Sequence, residues 1–249
     1  MSAPEFTPDD QVEAPGSAAL YTSGALDASA VLSAGASGVI DAVCVVDRLH
    51  PDSGSVGTTA IDKRAVDGPV KIGKLGLYAD IQADRANHGG ADQAVYIVDA
   101  AEADYWAAEI GREIHPGVFG ENILVRGLSV DDLEIGARLS AGDAILEATA
   151  PRTPCATFER WIGESGFRAR FHERGRVGVY FRVLRPGDVA AGDVLSVQET
   201  PGHGVSVAQW FRSPRDPQLA RRLQEWSRES GVQLHAEITR RIERILCSA

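Results

Sequence analysis

Cys155 closes the segment Ala150-Pro151-Arg152-Thr153-Pro154-Cys155, with a proline directly before it and an arginine three residues upstream. Each proline fixes its own φ and pushes the preceding residue towards extended geometry, so the thiol sits on a stiff backbone with little freedom to lose on folding. A sulfur held this way suits a metal or substrate that must be met at one distance, and a nearby guanidinium favours the reactive thiolate. The plainer role for a free cysteine is a small buried apolar residue. Cys44, within Ala42-Val43-Cys44-Val45-Val46, is expected in the core, and Cys247, close to the C-terminus, is expected to be exposed. Three cysteines without a CxxC pair point to a reducing compartment rather than a disulfide framework.

Two glycine-bracketed loops also carry chemistry. Asp84-Arg85-Ala86-Asn87-His88-Gly89-Gly90-Ala91-Asp92 sets a guanidinium and an imidazole beside a Gly-Gly pair, which suits close approach of backbone to a ligand. A simple turn, with His88 donating to a carbonyl, is the alternative. The second loop is Pro116-Gly117-Val118-Phe119-Gly120-Glu121-Asn122. Residues 168–176 hold four arginines and His172 in an otherwise acidic chain, either as an anion site or as a solvated face.

The elements that must position these residues are short. Strand-like runs cover residues 39–46, 94–98, 123–126, 134–139, 143–149, 177–184 and 194–197, with glycine turns between them. One helix is predicted over 99–110, where Asp99 with Glu102 makes a capping-box-like start and Gly111 stands at the C-cap; Tyr105 and Trp106 are expected to face the sheet. A short helix over 156–163 puts Phe158, Trp161 and Ile162 on one side. Many short strands and few helices indicate a β-barrel or closed sheet, a mainly β fold with α elements. Beyond residue 200 the period changes: Leu219, Leu223 and Trp226, then Leu234, Ile238 and Ile242, follow helical spacing. The expected organisation is a flexible leader over 1–37, a β-barrel domain over 38–200 and a helical extension over 201–249.

At 249 residues, 44% hydrophobic and 24% charged, the chain has ample material for a core. A net charge of −10 argues against non-specific nucleic-acid binding. No run approaches 18 apolar residues, so no membrane span is expected, and the acidic N-terminal stretch is unlike a signal peptide. A cytoplasmic location is the expectation. The sequence holds no GxxxxGK[ST], strand-linked GxGxxG, HExxH or paired-cysteine zinc spacing.

The order and wording of the loops resemble the MOSC family, named for the C-terminal domain of molybdenum-cofactor sulfurase, and within it the YiiM-like branch. The matching segments are Ala83-Asp84-Arg85 with His88-Gly89-Gly90, Ala94-Val95-Tyr96, Gly117-Val118-Phe119-Gly120-Glu121-Asn122, Pro151-Arg152-Thr153-Pro154-Cys155, Gly178-Val179-Tyr180 with Arg182-Val183, and Ala191-Gly192-Asp193. The resemblance spans about residues 38–198, and the helical tail looks like the three-helix extension of that branch. It implies a MOSC-type β-barrel that binds a molybdopterin-type molybdenum cofactor, with Cys155 as the protein ligand to molybdenum. It also implies reduction of N-hydroxylated small molecules, hydroxylamino-purine base analogues among them, with electrons from a redox protein. A thiolate suits such a thiophilic centre. Arg152, with Thr153 beside it, Arg85, His88 and Arg182 become candidates for the cofactor phosphate, Asn122 for the pterin edge, and His88 or Glu121 for a proton donor. Three positions depart from the family pattern: Ala79-Asp80 stands for Gly-Asp, Gln93 for a lysine, and Ala137 for an aspartate. The alternatives are a persulfide carrier using Cys155 and a non-catalytic cofactor carrier. The tail is expected to cap the barrel; pairing two subunits as a homodimer and docking a redox partner are its other two uses.

Overall fold

The computed structural model describes residues 31–54, 56–81 and 89–247. Residues 1–30 of the expected leader, and the candidates Arg85 and His88, lie outside the described residues. The rest of that leader belongs to the fold: Leu32 N–H donates to Asp132 O at 3.1 Å, and Gly35 N–H to Val197 O at 2.8 Å.

The chain runs through β1 (Ser37–Pro51), β2 (Thr58–Ala65), β3 (Val70–Gly73), β4 (Gly76–Leu77), β5 (Val95–Asp99) and α1 (Ala100–Ile110). Then come β6 (Ile123–Arg126), β7 (Arg138–Ala141), β8 (Ala144–Pro151), α2 (Ala156–Ile162) and α3 (Phe167–Arg174). The last elements are β9 (Val179–Arg185), β10 (Gly187–Val189), β11 (Val194–Glu199), α4 (Val207–Arg212), α5 (Pro217–Ser230) and α6 (Ala236–Cys247). Seven strands close a barrel in the order β1, β11, β7, β8, β9, β5, β6 and back to β1. Among the described strands only β5 and β6 pair parallel, and α1 makes the crossover between them, as a parallel connection requires. Closure leaves the barrel no open edge. The second half of β1 leaves the barrel to pair with β2, and β10, β3 and β4 form a small separate sheet. No helix of the described residues is long and apolar enough to cross a membrane.

β5 is buried on both faces, hence its unbroken apolar run. Val95 and Ile97 join the interior with Val125, Leu146 and Phe181. Tyr96 and Val98 face an outer layer in which Trp106, Phe119, Phe158, Phe167 and Phe171 pack ring against ring. Cys44 belongs to that layer, and burial pushes its thiol up to about 12. The interior continues into the extension through Val205, Val207, Trp210, Leu219, Leu223, Leu234, Ile238 and Ile242.

Three sequence-based expectations change, and one open alternative is decided. The strand expected from residue 134 begins at Arg138, because Gly136, at φ 95°, turns the chain beneath Trp226. Asp99 caps α1 by accepting from Ala101 N–H at 2.9 Å, but Glu102 does not complete a capping box; Arg174 takes both its oxygens at 2.9 Å. Trp106 is buried, whereas Tyr105 is exposed beneath Arg174, whose guanidinium lies 3.9 Å from the ring centroid. The arginine run is no anion site: Arg168 faces Glu159, Arg170 faces Glu109, Arg174 holds Glu102, and Arg176 holds Asp132.

Candidate functional site

A cavity of about 400 Å³ opens where β2, the chain after β4, the start of β5, the 117–122 loop and the N-terminal end of α2 meet. Cys155 and Arg152 line it together, as the sequence leads one to expect. The register of β8 against β9 shifts between Ala148 and Ala150, a bulge that re-aims the strand just before Pro151. Arg152 N–H then donates to Gly178 O at 3.2 Å, and Asp131 fixes that corner by accepting from Val177 N–H at 3.0 Å and Gly178 N–H at 3.1 Å. Cys155 is the N-cap residue of α2, in extended geometry, with its side chain making no capping bond. The chain thus turns from strand to helix at the sulfur.

Arg152 is 5% exposed, its guanidinium carbon 4.0 Å from the Phe158 ring centroid and 5.7 Å from that of Tyr96. Its Nη1 is buried with no hydrogen-bond partner among the described residues, and no described carboxylate pairs with it. The other two described cations on the wall are neutralised. Lys63 Nζ lies 2.7 Å from Asp80 Oδ2, and Arg160 grips Asp52 at 2.7 and 2.8 Å. The hydrogen bond from Arg160 holds the Asp52 carboxyl well below the usual carboxylate range. Among the described residues the cavity therefore presents one uncompensated positive charge. Burial raises the Tyr180 phenol above its ordinary value, against the pull of the Arg152 guanidinium beside it, so the phenol keeps its proton.

Asn122 lines the cavity as expected, yet its amide serves the scaffold. Its Oδ1 accepts from Tyr96 N–H at 3.1 Å, and its Nδ2 donates to Asp80 Oδ2 at 2.8 Å and to Cys44 O at 3.4 Å. Asp80 also accepts from Val46 N–H at 3.0 Å, so Lys63, Asp80 and Asn122 lock three segments of the wall together. Lys63 lines the wall with Thr58, Thr59, Ala60 and Ile61 of β2, and no alternation in the sequence singled it out. Asp80 was visible only as a family position. Ala79 before it has φ 67°, the single non-glycine residue with positive φ among those described, which explains a glycine at that place in the family pattern.

Three candidates move. Glu121 lies beneath the cavity: its Oε1 accepts from Gly117 N–H at 2.6 Å and its Oε2 from Phe119 N–H at 2.9 Å, so both oxygens fold the glycine loop. Burial raises its pKa, but the group is off the described wall. Thr153 is exposed and also off that wall. Arg182, two residues past Tyr180 on β9, is captured by Asp92 at 3.1 Å and Glu147 at 3.6 Å, and it donates to Gln233 O at 2.7 Å. It ties the extension to the barrel. Gln93, at the lysine position, lines the cavity.

Residues 84–196 match the family model described as the MOSC domain. The chain is 32% identical over 149 residues to the uncharacterized protein YflK of Bacillus subtilis (strain 168), covering 60% of this chain and 67% of that protein. It is likewise 32% identical over 148 residues to a protein named "Reductase" from Gibberella moniliformis, 58% of this chain but 26% of that longer protein. The crystal structure of YiiM from Geobacillus stearothermophilus superposes with a TM-score of 0.68 at 25% identity, covering 84% of this chain and 99% of the other.

Proposed function

Because the chain belongs to the MOSC-domain family, in its YiiM-like branch, we propose that the cavity holds a molybdopterin-type molybdenum cofactor and reduces N-hydroxylated small molecules. The observation that carries this reading is Arg152. A buried guanidinium with an unpartnered nitrogen on the wall of the cavity lined by Cys155 fits an anionic cofactor that also needs a soft ligand. Among the described residues no three His, Cys, Asp or Glu side chains gather as a metal site, so a metal at Cys155 takes its other ligands from elsewhere, as a dithiolene cofactor provides. The relative named as a reductase supports the redox direction.

In this reading the Cys155 thiolate binds molybdenum and Arg152 binds the cofactor's phosphate. When bound there, the molybdenum centre would supply two electrons, which an electron-donor redox protein would renew. The reaction R–NHOH + 2 e⁻ + 2 H⁺ → R–NH₂ + H₂O breaks the N–O bond and consumes two protons. Lys63, oriented by Asp80, and Tyr180 are wall residues with a proton to give. Asp52 and Arg160 pin the rim beside Cys155.

The test is molybdenum per chain, by mass spectrometry of metals, for wild type and Cys155→Ser made in a cofactor-producing host, followed by turnover of a hydroxylamino-purine. About one molybdenum per wild-type chain, a loss of roughly tenfold or more in the variant, and donor-dependent turnover are expected. Folded wild-type protein free of molybdenum would falsify the reading and favour a persulfide carrier. Bound metal without turnover would leave a cofactor carrier.

A further inference from the structure

Gln93 connects the cavity to the extension. Its Oε1 accepts from Gly89 N–H at 2.9 Å, and its Nε2 lies 3.1 Å from Nε2 of His235, in the corner between α5 and α6. Gly89 and Gln93 both line the cavity. The far side of the His235 ring is engaged too: Nδ1 lies 3.2 Å from Glu237 N, while Thr239 N–H donates to His235 O at 3.0 Å, which puts His235 at the cap position of α6. The corner is pinned to the same loop a second time, because Arg182 bridges Gln233 O and the Asp92 carboxylate.

This row has fixed donors at both ends, the N–H of Gly89 and the N–H of Glu237. Between them stand two groups that each offer one donor side and one acceptor side, a primary amide and a neutral imidazole. If Gln93 turns its oxygen to Gly89, its NH₂ needs a lone pair on His235 Nε2; the ring proton then sits on Nδ1, against Glu237 N–H. If Nδ1 accepts the Glu237 N–H, the proton sits on Nε2, the Gln93 oxygen turns to it, and Gly89 N–H loses its acceptor. One end is open in either arrangement, whatever else Gln93 touches. Protonation puts N–H on both ring nitrogens and leaves only the second orientation of Gln93.

We propose that His235 is a positioning residue of the cavity: through the Gln93 amide it decides whether Gly89 N–H is tied back or presented to a hydrogen-bond acceptor bound in the cavity. A ligand oxygen that takes the Gly89 N–H lets Gln93 turn and α6 be capped, so ligand binding and the extension are coupled through two side chains. Five groups besides Gln93 bear on the ring: Glu237 and Arg240 on α6, Asp92 at the loop end, Arg182 on β9 and, behind Arg182, Glu147 on β8. Burial lowers the His235 pKa, against the opposing pull of Glu237 and Asp92, so the ring is neutral at neutral pH and its protonation lies on the acid side.

The test uses full-length, cofactor-free protein, so it stands or falls apart from the molybdenum reading. The Gly89 amide and the His235 ring nitrogens are followed by NMR from pH 4.5 to 8 in wild type and His235→Asn, a substitution that can cap α6 but does not titrate. Because His88 adjoins Gly89 in sequence, the difference between the two proteins is what is read. In wild type the Gly89 amide is expected to titrate with the His235 ring, and its protection factor, taken relative to the intrinsic exchange rate at each pH, to fall about three- to tenfold on protonation, the effect of one lost hydrogen bond. Sulfate, whose charge is constant over this range, should bind wild type about three- to tenfold tighter below that midpoint and the variant without the step. A Gly89 amide that titrates identically in both proteins overturns the proposal. So does a His235→Ala variant that melts earlier while the Gly89 amide is unmoved, since that is a helix cap and nothing more.

Discussion

Arg152 is a guanidinium taken out of water with no described carboxylate to meet it and with its Nη1 unpartnered among the described residues. Such a group weakens the fold and strengthens a ligand, because an unpaired buried donor costs about 1–3 kcal/mol that an anion in the cavity recovers. Arg152→Met keeps much of the side-chain volume against Phe158 and removes the charge. The variant is expected to melt no lower than wild type while its affinity for sulfate or phosphate falls by about tenfold or more, as calorimetry and anion titration would show. An unchanged anion affinity would sink the assignment of the cavity. Ala79 gives a second residue-scale prediction. Its φ of 67° is left-handed, so Ala79→Gly should raise stability by roughly 0.5–1 kcal/mol in urea titration, the relief exceeding the entropy lost in the unfolded chain. Arg152 and Cys155 were legible because flanking prolines announce a stiff segment. Glu121 and Arg182 sit off the described wall for a common reason: sequence gives the type of a polar group, not which neighbour claims it. Two backbone N–H groups claim Glu121, and two carboxylates with a carbonyl claim Arg182.

Among the elements, the corner that enters β9 does most to place the site, and it hangs on Asp131. This carboxyl accepts from Val177 and Gly178, and Gly178 O in turn receives Arg152 N–H. Burial first, and then the nearby Glu102, raise the Asp131 pKa from 3.8 to about 7. A carboxyl whose folded pKa exceeds its unfolded value contributes stability in full below about 3.8 and loses it as pH rises through about 7. Asp99, raised by burial to about 6, works in the same direction. Asp131→Asn should therefore flatten the profile: urea midpoints of wild type fall between pH 4 and 7 by an amount worth up to a few kcal/mol, and those of the variant fall less. Equal slopes in the two proteins would mean that the folded pKa of Asp131 is near its ordinary value. Strand periods were readable wherever one face is buried. They misled at residues 134–137, where Ile135 and Ala137 are buried like strand residues yet Gly136 turns the chain. The Arg168–Arg176 run was ambiguous for want of its partners, since Glu102, Glu109, Glu159 and Asp132 come from other elements.

For the molecule as a whole, the question is what the extension does for the barrel. Its backbone is stitched to the segment before β7: Ile135 N–H donates to Val205 O and Val207 N–H to Leu133 O at 2.9 Å, while the Glu134 carboxylate accepts from Gly202 and Gly204. Its apolar faces are spent against the barrel interior. Trp210, Leu219, Leu223, Leu234, Ile238 and Ile242 are buried in one cluster with Leu133, Ile135 and Leu139. Each such side chain is worth about 1.5–3 kcal/mol of burial, so losing six of them is large against the roughly 5–15 kcal/mol by which a domain is ordinarily stable. Helical spacing announced the helices, but it could not say what their apolar stripes cover. A chain ending at residue 200 would expose the barrel's end and leave Glu134 buried without its donors. That truncation is expected to be insoluble, or to bind a hydrophobic dye without a cooperative melt. A soluble fragment that melts cooperatively would show that the barrel carries its own core, and the tie from Gln93 to His235 would then join separable parts instead of two regions of one packed interior.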